Sequence, residues 1–113
     1  MREDGKIDYV ELPGGDLAAT KAFYAAAFGW TFTDYGPSYA AMNEGLDGGF
    51  DADPQSRSAA PVVILYAHDL EAMEARVRAA GAEILKPIYS FPGGRRFHFR
   101  DPSGNELGVF SEG

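Results

Sequence analysis

The residues with chemistry to offer are few. His98 stands mid-run in Arg96-Phe97-His98-Phe99-Arg100. If its ring faces an enclosed space, it is the one group there that titrates near neutral pH, and hence a general base or a donor to a ligand. Glu11 shares one face of an alternating stretch with Tyr9. A carboxylate on an otherwise apolar face is costly to bury unless paired, so Glu11 binds, acts as a base, or sits at a wet rim. Glu11 and His98 are therefore the candidate catalytic residues. Tyr9 offers a hydroxyl from the same face, the alternative being an aromatic core residue. Arg95 and Arg96 follow Gly93-Gly94; they either flank a loop that closes on an anion, which arginine grips in two places, or are solvated. His68, just ahead of Asp69, is expected to face solvent.

The totals narrow the classes. The 113 residues suit one domain, with 45% hydrophobic residues to fill a core. Zero cysteines exclude disulfides, thiolate catalysis and Cys-ligated metal. A net charge of −7 disfavours nucleic acid, whose binding needs cations against phosphate. The longest apolar run, Ala59 to Ala67, is strand length and contains Pro61, so no membrane span is expected. The opening Met-Arg-Glu-Asp-Gly-Lys lacks the apolar stretch of a signal sequence, and the expected location is cytoplasmic.

The elements that must position these residues recur. Ile7 to Leu12 alternates as a strand, Pro13-Gly14-Gly15 breaks it, and Asp16 caps a helix from Leu17 to Phe28 that Gly29 stops. Three short strands follow, within Trp30 to Tyr35, Tyr39 to Asn43 and Gly45 to Phe50; residues 51–60 lack periodicity and read as a linker. Pro61 to Ala67 then repeats the first strand, Asp69 the cap, Leu70 to Ala80 the helix and Gly81 the stop. Three more strands close the chain, the last two joined by the turn Asp101-Pro102-Ser103-Gly104. A simple four-residue loop would pair Arg100 with Asn105 and Phe97 with Gly108, putting His98 on the face opposite Gly108; a one-residue slip would invert that. Each half is thus strand, helix and three strands.

Two βαβββ units of this kind, with Asp16-Leu17, Phe23-Tyr24, Phe28-Gly29-Trp30 and Phe99-Arg100-Asp101-Pro102-Ser103-Gly104-Asn105 in order, resemble the vicinal oxygen chelate superfamily. That group holds glyoxalase I, the bleomycin-resistance proteins and the extradiol dioxygenases. The resemblance implies an α+β fold of two βαβββ modules, residues 7–50 and 61–112, whose curved mixed sheets surround a cleft. It implies a homodimer formed edge to edge or by module exchange about the linker. It also implies a divalent metal held by the first and last strands of each module. At those positions this chain has Tyr9, Val62 and Gly108, with the remaining one falling within Gly48-Gly49-Phe50. Neither glycine nor valine has a donor, and neutral tyrosine is a poor ligand for hard cations.

The expectation is therefore a protein without the inherited metal, binding a small aromatic or amphipathic molecule. Tyr9, Glu11, Trp30, Tyr66, Tyr89, Arg96, Phe97 and His98 are the ligand-binding candidates, with Phe32 and Tyr39 as further lining. The alternative is a lyase, isomerase or dioxygenase of the glyoxalase type, with Zn, Ni, Mn or Fe in a rearranged site of Glu11, His98 and Glu106. A third reading is a noncatalytic module that acts through its surface.

Overall fold

A computed structural model describes residues 3–43, 45–55 and 57–112. The elements run β1 (Ile7–Pro13), α1 (Leu17–Phe28), β2 (Phe32–Asp34), β3 (Tyr39–Asn43), β4 (Asp47–Asp51), β5 (Val62–Tyr66), α2 (Leu70–Ala79), β6 (Glu83–Phe91), β7 (Gly94–Arg100) and β8 (Glu106–Ser111). The expected βαβββ order is present twice. By its contacts the chain falls into two compact units: a first module, Tyr9–Val62, and a second, Val63–Gly113 together with Met1–Asp8. Among the described residues no helix is long and apolar enough to cross a membrane.

Both helices start as their sequences dictate. Asp16 accepts from Ala19 N at 3.1 Å and Asp69 from Ala72 N at 3.0 Å, each satisfying a backbone donor that the helix leaves open. In α2, Glu71 in the first turn and Arg76 and Arg78 in the last complement the helix dipole. Asp69→Ala is expected to cost about 1 kcal/mol. Urea unfolding of the variant should show it as a lower midpoint with an unchanged slope.

In the first module β1 pairs with β4 in parallel, and β4, β3 and β2 continue antiparallel. In the second, β5 pairs with β8 in parallel, and β8, β7 and β6 continue antiparallel. The second core lies between sheet and helix, where Leu70, Met73 and Val77 of α2 meet Phe97, Phe99 and Val109. Pro87 is accommodated in β6, at the sheet edge, where the ladder to β7 shifts register between Ile84 and Lys86 and again between Lys86 and Tyr89. Asp51 belongs to β4 rather than to the linker expected over 51–60.

The closing hairpin departs from the simple loop. Arg100 pairs with Glu106, Phe97 with Val109 and His98 with Gly108. The connection is five residues because Gly104, at φ 88°, adds a left-handed step after the Asp101 turn. The Asp101 side chain closes it, accepting from Ser103 N at 2.9 Å and Asn105 N at 2.8 Å. That added residue moves His98 onto the same face as Gly108.

Candidate functional site

Strand parity sorts the second module into two faces. Phe97, Phe99, Leu107 and Val109 alternate with Arg96, His98, Glu106, Gly108 and Phe110, and Phe97, Phe99 and Val109 share a cluster with Leu70, Met73 and Val77 of α2. On the other face His98, fully buried, sets its Nδ1 2.7 Å from Glu106 Oε2 and its Nε2 3.4 Å from the Tyr89 hydroxyl. Arg96 Nε donates to that hydroxyl at 2.5 Å. Burial pushes the His98 pKa below its ordinary 6.5, Glu106 partly offsets this, and the charges of Arg96 and Lys86 add to the lowering. The ring is thus neutral at pH 7. Nδ1–H donates to the carboxylate, which fixes the tautomer, and the Nε2 lone pair is left to accept from Tyr89.

Rings extend along this face from the polar chain. Arg96 lies over Tyr89 at 5.7 Å and over Phe91 at 5.2 Å; Phe91 meets Phe110 at 6.3 Å, and Phe110 meets Tyr66 at 5.6 Å. Arg96 is 7% exposed, so the cation is held among rings rather than in water.

The first module repeats the arrangement with different side chains. Tyr9 and Tyr39 share a hydroxyl–hydroxyl bond, and Tyr39 Oη lies 3.5 Å from Glu11 Oε2. Glu11 is buried. Burial raises the Tyr9 pKa, the bond to Tyr39 opposes this, and the Glu11 charge adds to the rise, so Tyr9 stays a neutral phenol.

One glycine in the last strand of each module makes these packings possible. A Cβ on Gly108 would lie 2.9 Å from Ile64 Cδ1 and 3.3 Å from His98 Nε2; one on Gly49 would lie 2.5 Å from the Tyr39 hydroxyl. Gly49 pairs with Glu11 as Gly108 pairs with Ile64, so the two positions correspond. The imidazole fills one glycine cradle and the Tyr39 phenol the other.

The sequence-predicted residues therefore separate. Tyr66, Tyr89, Arg96 and His98 share the second module's face, and Tyr9 and Glu11 share the first's with Tyr39. Phe97 does not belong with them: it is fully buried in the core beneath α2. Trp30 stacks on Tyr24 of α1 at 4.6 Å, and Phe32 packs on Trp30 and Phe50, so both join a helix-side cluster. Arg95 and Arg96 part company, as successive strand residues must: Arg95 forms a two-point pair with Glu71 of α2, while Arg96 turns to the opposite face. His68, exposed as expected, bonds Asp4 through Nδ1 at 2.7 Å. Sequence reasoning grouped Glu106 with His98 only as members of a rearranged metal site; the structure brings the two together, with the Glu106 carboxylate orienting the His98 ring. The signal was its equal parity with His98 across a hairpin counted with five loop residues.

The metal that the resemblance implies does not fit these residues. The corresponding positions are Tyr9, already bonded to Tyr39, then Gly49, Val62 and Gly108, and rings fill the space above both glycines. Of the rearranged alternative's residues, His98 and Glu106 meet through Nδ1 and Oε2, while His98 Nε2 faces the Tyr89 hydroxyl at 3.4 Å. Among the described residues no three His, Cys, Asp or Glu side chains gather to hold an ion.

The description "Glyoxalase/Bleomycin resistance protein/Dioxygenase superfamily" belongs to the family model that matches residues 6–109. No curated protein matches the chain. Among solved structures, a NAD-dependent benzaldehyde dehydrogenase from Legionella pneumophila superposes with TM-score 0.75 at 17% identity, covering 91% of this chain and 96% of that one. Methylmalonyl-CoA epimerase from Mycobacterium tuberculosis superposes with TM-score 0.71 at 15% identity, covering 99% and 91%. The Mn(II)-bound glyoxalase from Novosphingobium aromaticivorans is 26% identical with TM-score 0.66, covering 99% of this chain but 40% of that protein.

Proposed function

From a chain that belongs to the glyoxalase/bleomycin resistance protein/dioxygenase superfamily, we propose a protein that binds a small aromatic or amphipathic molecule without a metal. The binding surface is the second module's face that carries Tyr66, Phe110, Phe91, Arg96 and Tyr89. The observation that supports this reading is the unbroken series of rings and cation along that face, from Tyr66 to His98. Rings take a flat apolar body, while Arg96 and the Tyr89 hydroxyl supply the few polar groups that orient it. Beneath these groups Glu106 and Tyr89 hold the buried His98 imidazole in one tautomer, which fixes the Tyr89 ring from below.

The test is thermal melting with 1-anilinonaphthalene-8-sulfonate, a flat amphipathic probe, in the presence of EDTA. At a hundredfold its Kd a ligand adds about 2.7 kcal/mol, which raises Tm by roughly 10 °C for a chain of this size. The rise should persist in EDTA and shrink in Arg96→Ala and Phe110→Ala. A rise that needs Mn²⁺, Ni²⁺, Zn²⁺ or Fe²⁺ would replace this reading with the metal-dependent lyase or dioxygenase. No rise under either condition would leave a module that acts through its surface.

A further inference from the structure

We propose that the ring-lined face of the second module takes a flat aromatic acid, its ionised group held between Lys86 and Arg96 and its rings lying toward Phe110 and Tyr66. This rests on the small-molecule reading and deepens it by naming the ligand's chemical class. Cross-strand register sets out the face in rows. Lys86 pairs with His98 and His98 with Gly108; in the next row Tyr89 pairs with Arg96, Arg96 with Phe110, and Phe110 with Tyr66. Residues directly opposite on adjacent strands share a face, so the two cations stand on β6 and β7 and the rings of Phe110 and Tyr66 beyond them on β8 and β5.

Charge selects the ligand. The chain as a whole carries −7, which makes two neighbouring cations on one face a local departure. Arg96 lies over the Tyr89 and Phe91 rings. Lys86 is half-buried, and among the described residues its ammonium enters no hydrogen bond or ion pair. Both charges act on the His98 ring, which puts them within reach of one spot. The nearby carboxylates are already engaged: Glu106 accepts from His98 Nδ1, and Glu112 Oε1 lies 3.4 Å from the Tyr66 hydroxyl. A cationic ligand would be repelled by Lys86 and Arg96, and a neutral one would cover the Lys86 ammonium without pairing it.

Dimensions agree. Neighbouring strands lie about 4.8 Å apart, so the way from β7 to β5 is roughly 10 Å, the length of a two-ring body with its acid at one end. Tyr66, Tyr89, Phe91 and Phe110 are each half-buried, which leaves part of every ring to meet that body.

Isothermal titration calorimetry of the full chain in EDTA with 2-naphthoate and 2-naphthamide tests this, because the two probes share a flat body and differ in charge. Naphthoate is expected to bind about tenfold more tightly or better, the scale of one charge-assisted hydrogen bond, and the margin should shrink as salt screens it. Lys86→Gln should remove most of that margin while leaving the far-UV spectrum unchanged, and Lys86→Arg should keep it. Naphthamide binding as tightly as naphthoate would overturn the inference. So would a full margin in Lys86→Gln, since the acid would then be held elsewhere. Either result leaves the small-molecule reading intact, because a ring-bearing molecule still binds. Binding of neither probe would also overturn the inference, and the melting experiment with 1-anilinonaphthalene-8-sulfonate then decides separately whether the small-molecule reading falls with it.

Discussion

Replacing His98 with alanine should lower the stability of the folded chain by about 3 kcal/mol, seen as an earlier urea midpoint at pH 7.5. The imidazole is fully buried, and its removal strips a hydrogen bond from Glu106 and another from Tyr89 while opening the space above Gly108. Glu106 is 33% exposed, so water can reach its carboxylate and limits the cost. The effect depends on pH with a definite sign. The folded pKa lies below 6.5, so as pH falls the unfolded chain takes up a proton before the folded chain does. Stability due to the neutral ring is therefore complete above pH 6.5 and is lost as pH falls from there to the folded value. The gap between wild type and His98→Ala should narrow over that window. Two unfolding curves that stay parallel from pH 7.5 to 5 would contradict a neutral, buried imidazole.

Gly108→Glu should be the most damaging substitution near the candidate site, costing about 3–5 kcal/mol. It puts a side chain back at the position where the family resemblance implies a metal ligand, but the space is taken. The new Cβ meets Ile64 Cδ1 at 2.9 Å and the His98 ring at 3.3 Å, and the carboxylate beyond them has no room. Ile64 Cδ1 is the end of a flexible chain, so Gly108→Ala should cost far less, about 1 kcal/mol. Combining Gly108→Glu with His98→Gly removes the obstructing ring, and the double variant should be more stable than the sum of the single losses by at least ~1 kcal/mol. Thermal melts of the four proteins, with and without Mn²⁺, decide it. A Gly108→Glu protein as stable as wild type and further stabilised by Mn²⁺ would show that the cradle is open after all.

The fold was legible because its signals are local and repeated. An aspartate cap, an apolar helical stripe and a stop occur in both halves, and Asp16 and Asp69 make the cap bonds their positions imply. The ends of α1 fall where the sequence puts them. The missing donors at Gly108 and Val62 could also be read directly, since a glycine or valine has no ligand atom whatever its surroundings.

The arrangement of the site could not be read this way. Whether His98 faces the core or the opposite side turned on a single residue in the 101–105 loop, and that turned on the left-handed backbone at Gly104. The side chains that meet His98 come from β6 and β8, across strand pairings that no local pattern encodes. Phe97 and His98 are neighbours of similar bulk, yet one is core and the other faces the candidate site. The sequence by itself determined two βαβββ modules and the absence of a side-chain donor at Val62 and Gly108, because helix caps, periodicity and donor chemistry are properties of short segments. Only the tertiary structure decided that imidazole and phenol rings lie against Gly108 and Gly49, because register adds up residue by residue along a hairpin and packing joins strands distant in the chain.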